Sequence, residues 1–139
     1  MILLIDSTTE NLPKDINSFN IIKIIKGTQQ IFLDKFQEIE FLPQCEELVC
    51  EDLGLDKLPQ LPIVRKLICN KNKLVYLPNL PKCEELECAD NKLKYLPRLD
   101  KCKELDCENN KIKYLPDLPM CLDLDCGNNN LLELPDLPN

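Results

Sequence analysis

Leucines recur along this chain at a constant step of 19 residues. One column runs Leu48, Leu67, Leu86, Leu105 and Leu124, and a second runs Leu58, Leu77, Leu96, Leu115 and Leu134. Cys50, Cys69, Cys88, Cys107 and Cys126 keep the same step, as do Asn72, Asn91, Asn110 and Asn129. Leu55, Leu74, Leu93, Ile112 and Leu131 form a further column. Several columns sharing one period mark a repeat architecture, in which each unit buries its apolar face against its neighbours. Within each unit Leu-x-Cys alternates with period two, so both side chains point to one face of a very short strand. Asn, three residues after the Cys, breaks the strand and can satisfy backbone groups of neighbouring coils. The Leu-Pro-x-Leu-Pro stretch that follows predicts an extended return, because proline removes a donor and pushes its predecessor out of the helical region. Stacking such coils sets equivalent residues roughly 4.8 Å apart in a parallel sheet over a continuous core.

The unit reads C-x-x-L-x-C-x-x-N-x-L-x-x-L-P-x-L-P-x and resembles the leucine-rich repeat, L-x-x-L-x-L-x-x-N-x-L, with Cys in two leucine positions. The Leu-Pro-x-Leu-Pro return resembles the short repeats of bacterial secreted effectors and of repeat proteins from giant DNA viruses of amoebae. The resemblance covers residues 39–139. It implies a right-handed leucine-rich-repeat solenoid with a parallel, concave β-sheet and non-helical returns. It also implies a module that binds proteins or other ligands on the concave face. No counterpart is expected of the ubiquitin-ligase domain that follows the repeats in some of those effectors, since Asn139 falls within a return.

Upstream, the pattern fades. Asp34 falls in the Asn column, Phe36 in the column of Leu74 and Ile39 in the column of Leu58, while Gln29 occupies a strand-leucine position. Residues 27–44 therefore read as a degenerate coil and residues 45–139 as the regular array. Residues 1–26 hold two apolar runs, Ile2–Ile5 and Ile21–Ile25, and read as a β-rich cap covering the first coil. No matching cap is recognisable at the other end.

Composition narrows the function classes. With no His, there is no imidazole for a nucleophilic triad or a metal. Ser7 and Ser18 stand outside any nucleophile-elbow context, and the isolated glycines build no phosphate cradle. The expectation is a non-enzymatic protein without cofactor. A formal net charge of −7 argues against nucleic acid as partner, because phosphate recognition needs a basic surface. No apolar run approaches membrane-spanning length, and the apolar start Met1–Ile5 is too short for a signal-peptide core. These features predict an intracellular, cytoplasmic protein, in the host cytoplasm if the source is viral.

The nine cysteines invite a chemical reading. Cys45/Cys50, Cys83/Cys88, Cys102/Cys107 and Cys121/Cys126 share a C-x4-C spacing, just outside the usual zinc pattern. Stacked thiols could hold a metal or exchange disulfides, so a cysteine-based metal or redox protein is the competing function. The reading as small core hydrophobes is favoured by Val64, which replaces Cys in the column of Cys45. Tyr76, Tyr95 and Tyr114 form an aromatic column on the return side, expected to lie over the backbone.

Residues between the core columns carry the remaining information. Glu85, Glu87, Glu104, Asp106, Glu108, Asp123 and Asp125 point outward around the strands, while Arg65, Lys66 and Lys71 invert the sign one coil earlier. Glu87, Asp106 and Asp125 fall in one cross-strand column, where like charges destabilise a sheet and folding requires none. Val49 and Ile68 extend that column as apolar residues. These nine residues are the candidate binding surface, suited to a protein partner with a basic segment beside an apolar anchor.

Overall fold

The computed structural model describes residues 1–138; Asn139, the last residue of the regular array, lies outside the described residues. Seven strands form one parallel sheet in chain order: β1 (Ile2–Ile5), β2 (Ile21–Ile24), β3 (Glu47–Val49), β4 (Lys66–Ile68), β5 (Glu85–Glu87), β6 (Glu104–Asp106) and β7 (Asp123–Asp125). Each strand from β3 onward is three residues long with its central Leu turned inward. Leu48, Leu67, Leu86, Leu105 and Leu124 stand in register across the sheet. The Leu-Pro returns of this region are extended, and the core runs unbroken between sheet and returns.

The Asn column performs the service expected of it. The Asn91 side-chain amide donates to the Cys69, Cys88 and Ala89 carbonyls at 3.0, 3.1 and 3.2 Å, while its oxygen accepts from the Leu74 N–H at 3.0 Å. Asn110 repeats the set one coil on. Leu53, which interrupts the column, leaves no gap, because the Asn72 oxygen accepts from both the Leu53 and Leu55 N–H groups. The residue just before each column position turns the chain through the left-handed region, with φ of 57° at Asp52, 56° at Lys71, 54° at Asp90 and Asn109, and 49° at Asn128. Asp and Asn tolerate that conformation better than most residues; Lys71 adopts it in the same frame.

The N-terminal third departs from the expected register. Ile2–Ile5 pairs with Ile21–Ile24, which pairs in turn with β3, so both are the first strands of the same sheet. Ile22 pairs with Leu48, a step of 26 residues where later coils take 19. The added length holds a helix, α1 (Gln30–Gln37), in the return arm of the β2 coil. Residues 27–44 are thus no degenerate copy of the regular coil, Gln29 lies on no strand, and Asp34 accepts from Gln30 at 2.7 Å within the helix instead of joining the Asn ladder. The reason is local. Phe32, Leu33 and Phe36 recur at helical spacing and are buried, and no proline stands between Pro13 and Pro43 to force an extended return. Gly27, at φ 92°, turns the chain into that arm.

Removing one Asn from the middle of the ladder strands one N–H and several carbonyls in the core. Asn91→Ala is expected to destabilise the fold by about 3 kcal/mol, because buried polar groups left unpaired are costly. Asn129→Ala, at the partly buried end, should cost about a third as much. Urea unfolding of both variants measures this; equal losses would refute the ladder as the main tie between coils.

Candidate functional site: the exposed face of the sheet

Outward side chains of the seven strands stand in two rows set by the register. One row reads Ile2, Ile21, Glu47, Lys66, Glu85, Glu104 and Asp123, and the other Leu4, Lys23, Val49, Ile68, Glu87, Asp106 and Asp125. Near the middle, charges compensate. Lys23 pairs with Glu47 at 3.0 Å, Lys66 with Glu85 at 2.6 Å, and Glu84 takes both Arg65 and Lys103 at 2.8 and 2.7 Å. The Lys66 ammonium, bonded to Glu85, has its pKa raised. Exposed pairs of this kind add little stability, but they cancel field.

Toward β7 the compensation ends. Glu104, Asp106, Glu108, Asp123 and Asp125 form no ion pair with a described residue. Local donors meet part of their need: Asn70 donates to Glu87 at 3.0 Å, the Glu108 N–H to Asp106 at 3.1 Å and the Gly127 N–H to Asp125 at 3.2 Å. The face here is a shallow groove of about 400 Å³ lined by Glu85, Glu87, Glu104, Asp106, Asp123 and Asp125 over Leu86 and Leu105. Glu108 is not among the lining residues; the Asp125 charge foremost, with desolvation and Asp106 behind it, raises its pKa. The structure thus brings Glu87, Asp106 and Asp125 together as the sequence predicted, and removes Glu85 from the free set through its pair with Lys66.

Val49 and Ile68 lie half-buried in the second row, in line with the acids. Val49 also borders a cleft of about 430 Å³ with Leu4, Ile24 and Ile25, over which Lys26 pairs with Asp52. Sequence reasoning missed Leu4 and Lys23 as part of this face. The signal existed: Ile2 precedes Ile21 by the repeat length of 19.

The cysteines lie in the core. Eight of the nine are buried and Cys126 is partly so. The thiols of Cys45, Cys83, Cys102 and Cys121 donate to carbonyls two residues on at 3.2–3.3 Å. Burial pushes Cys45, Cys83 and Cys107 up to about 12 and Cys102 to about 11, and raises Cys50, Cys69 and Cys88 as well. Thiols held protonated are poor nucleophiles and poor ligands at neutral pH. Tyr76, Tyr95 and Tyr114 are about half exposed.

Parallel Leu-x-Cys strands, an Asn ladder and Leu-Pro returns define a leucine-rich-repeat solenoid, a fold that typically serves protein interaction. Among solved structures the chain is similar to YopM, a leucine-rich effector protein from Yersinia pestis, with 38% identity and a TM-score of 0.64. The match covers 70% of this chain and 30% of the YopM chain, so this chain spans under a third of that protein's length. No protein-family model matches the chain, and no match was found among curated proteins. No helix is long and apolar enough to cross a membrane among the described residues.

Two outcomes follow from this geometry. Alkylation at pH 8 should leave Cys50, Cys69 and Cys88 unmodified in the folded protein and reach Cys126 first, as read by peptide mass spectrometry; uniform labelling would contradict the buried ladders. The Glu108 carboxyl should titrate above the ordinary glutamate value by NMR and return toward it in Asp125→Asn. The sign is that of a raised carboxylate: the folded state holds the proton more tightly, so this contact opposes folding at neutral pH and is relieved as pH falls toward the raised value.

Proposed function

We propose that this chain is a non-enzymatic interaction module that holds a protein partner on its concave face. The partner presents a basic segment to the acidic columns of β5–β7 and an apolar residue to Val49 and Ile68. The observation that carries the reading is the pair of cross-strand carboxylate columns left without cations, Glu87/Asp106/Asp125 and Glu104/Asp123. Like charges one strand apart oppose folding, so their presence is best accounted for by a ligand that supplies the counter-charge. Lys and Arg segments satisfy it directly, and the apolar half of the same row gives the anchor that fixes register along the solenoid.

The similarity to a leucine-rich effector supports a scaffolding role, and the nine free thiols are the reason we place the protein in the reducing cytoplasm.

A synthetic peptide with a Lys/Arg cluster and one Leu five to seven residues away provides the test, read by calorimetry. Binding should weaken at least tenfold between 50 and 200 mM salt, on the order expected when several ion contacts are screened. The triple variant Glu87→Lys, Asp106→Lys, Asp125→Lys should abolish it. Binding indifferent to both changes would refute the acidic face as the site.

A further inference from the structure

Five of the chain's 15 lysines are paired with carboxylates among the described residues. Lys23, Lys26, Lys66, Lys71 and Lys103 each lie within 4.0 Å of a carboxylate. Lys73, Lys92, Lys94, Lys111 and Lys113 have no described carboxylate within that distance. These five of the unpaired lysines share one flank, the segment that follows the Asn column in three successive coils, while Lys14, Lys35, Lys57, Lys82 and Lys101 lie elsewhere along the chain.

That flank is a backbone ladder of its own. The Lys73 N–H donates to the Leu55 carbonyl at 2.8 Å, Lys92 to Leu74 at 2.9 Å and Lys111 to Leu93 at 2.8 Å. Such bonding sets Lys73, Lys92 and Lys111 in a row at about the 4.8 Å spacing of paired strands. Leu93 and Ile112 point into the core, so the lysines on either side of each point out, roughly 7 Å apart along the coil. The result is a lattice of cations of one sign, as uncompensated as the acidic columns across the turn.

Beside it stands the tyrosine row. Tyr76, Tyr95 and Tyr114 are 47%, 58% and 54% exposed. The fold does not demand an aromatic there, since Lys57 and Glu133 hold the same position in the flanking coils. An exposed aromatic row in register with an unpaired cation lattice is the combination used to hold a single-stranded polynucleotide, with phosphates on the cations and bases stacked on the rings.

We propose that this lysine–tyrosine flank binds single-stranded nucleic acid without sequence preference. The phosphodiester backbone runs along the solenoid axis over Lys92, Lys94, Lys111 and Lys113, and successive bases stack on Tyr95 and Tyr114. An acidic peptide would use the cations and leave the ring faces idle, which is why the polynucleotide is the better fit. Lysine supplies point charges and not the planar fork that reads guanine, so no base preference is expected. The net charge of −7 does not oppose this contact. That sum is taken over two faces of opposite sign, and at physiological salt charges beyond about 8 Å are largely screened.

The test is fluorescence anisotropy of a labelled 12-nucleotide oligo-dT and of oligo-rU with the full chain. Both should bind at 50 mM salt, and log affinity should fall with log salt at a slope near −3, about 0.7 per phosphate contacted. Lys92→Glu, Lys94→Glu, Lys111→Glu, Lys113→Glu together should reduce affinity at least 30-fold. The milder Lys→Gln set, for use if the reversal fails to fold, should reduce it at least tenfold. Tyr95→Ala with Tyr114→Ala should cost at least fivefold with the salt slope unchanged, a response that charge alone cannot give. Failure of both oligonucleotides to bind at 50 mM salt overturns the proposal. So does a polyglutamate peptide of equal charge binding as tightly, or indifference to the tyrosine pair. The concave-face variant Glu87→Lys, Asp106→Lys, Asp125→Lys should not weaken this binding, which keeps the two surfaces separable.

Discussion

Each coil of this protein would be unstable alone, and what ties it to the next is one side-chain amide. The Asn ladder reaches carbonyls of two coils and returns an acceptor to the N–H of the preceding one, in the part of the core where water cannot serve. A backbone that turns through a left-handed residue every 19 positions exposes polar groups at a fixed place in each coil. Asn is short enough to stay inside the turn and carries both donors and an acceptor. Leucine and cysteine packing supply the bulk of the driving force, but packing is indifferent to register. The ladder makes register specific, and the stacked outward rows depend on that register.

Much of this was legible in the chain itself. Constant spacing of Leu, Cys and Asn is a periodic signal, and the Leu-Pro pairs exclude helix by direct steric argument, so β3 to β7 and their returns follow from pattern alone. The first third was harder. Ile2–Ile5 and Ile21–Ile24 lack the Cys and Asn marks of the later strands, although the 19-residue step between Ile2 and Ile21 is intact. Residues 27–44 carry period-matched residues by coincidence of position, yet Phe32, Leu33 and Phe36 follow helical spacing, and without proline the helix prevails. The outward acids could be assigned to one face from alternation. Which of them remain unpaired could not, because the Lys66–Glu85 and Glu84 contacts depend on side chains crossing between coils.

Charge in this molecule is segregated along two directions. Across the sheet it passes from apolar at β1 to compensated at β3 and β4, then to acidic at β5–β7. Around the β5 and β6 coils it passes from carboxylates on the strand to unpaired lysines after the turn. Both gradients sit on positions that the core leaves open, so neither is imposed by folding. The whole-chain charge of −7 conceals two fields of opposite sign.

The uniform coil height also makes the solenoid a ruler. The apolar cleft at Leu4 and Val49 and the carboxylates at Asp106 and Asp125 are separated by a whole number of strands, each worth about 4.8 Å. Insertion or loss of one 19-residue unit between them would leave every core column in register, since each coil touches only its neighbours. It would move the two features apart or together by one step. Duplication of a single repeat in the gene is therefore a graded adjustment of reach, made without redesigning any contact within the fold.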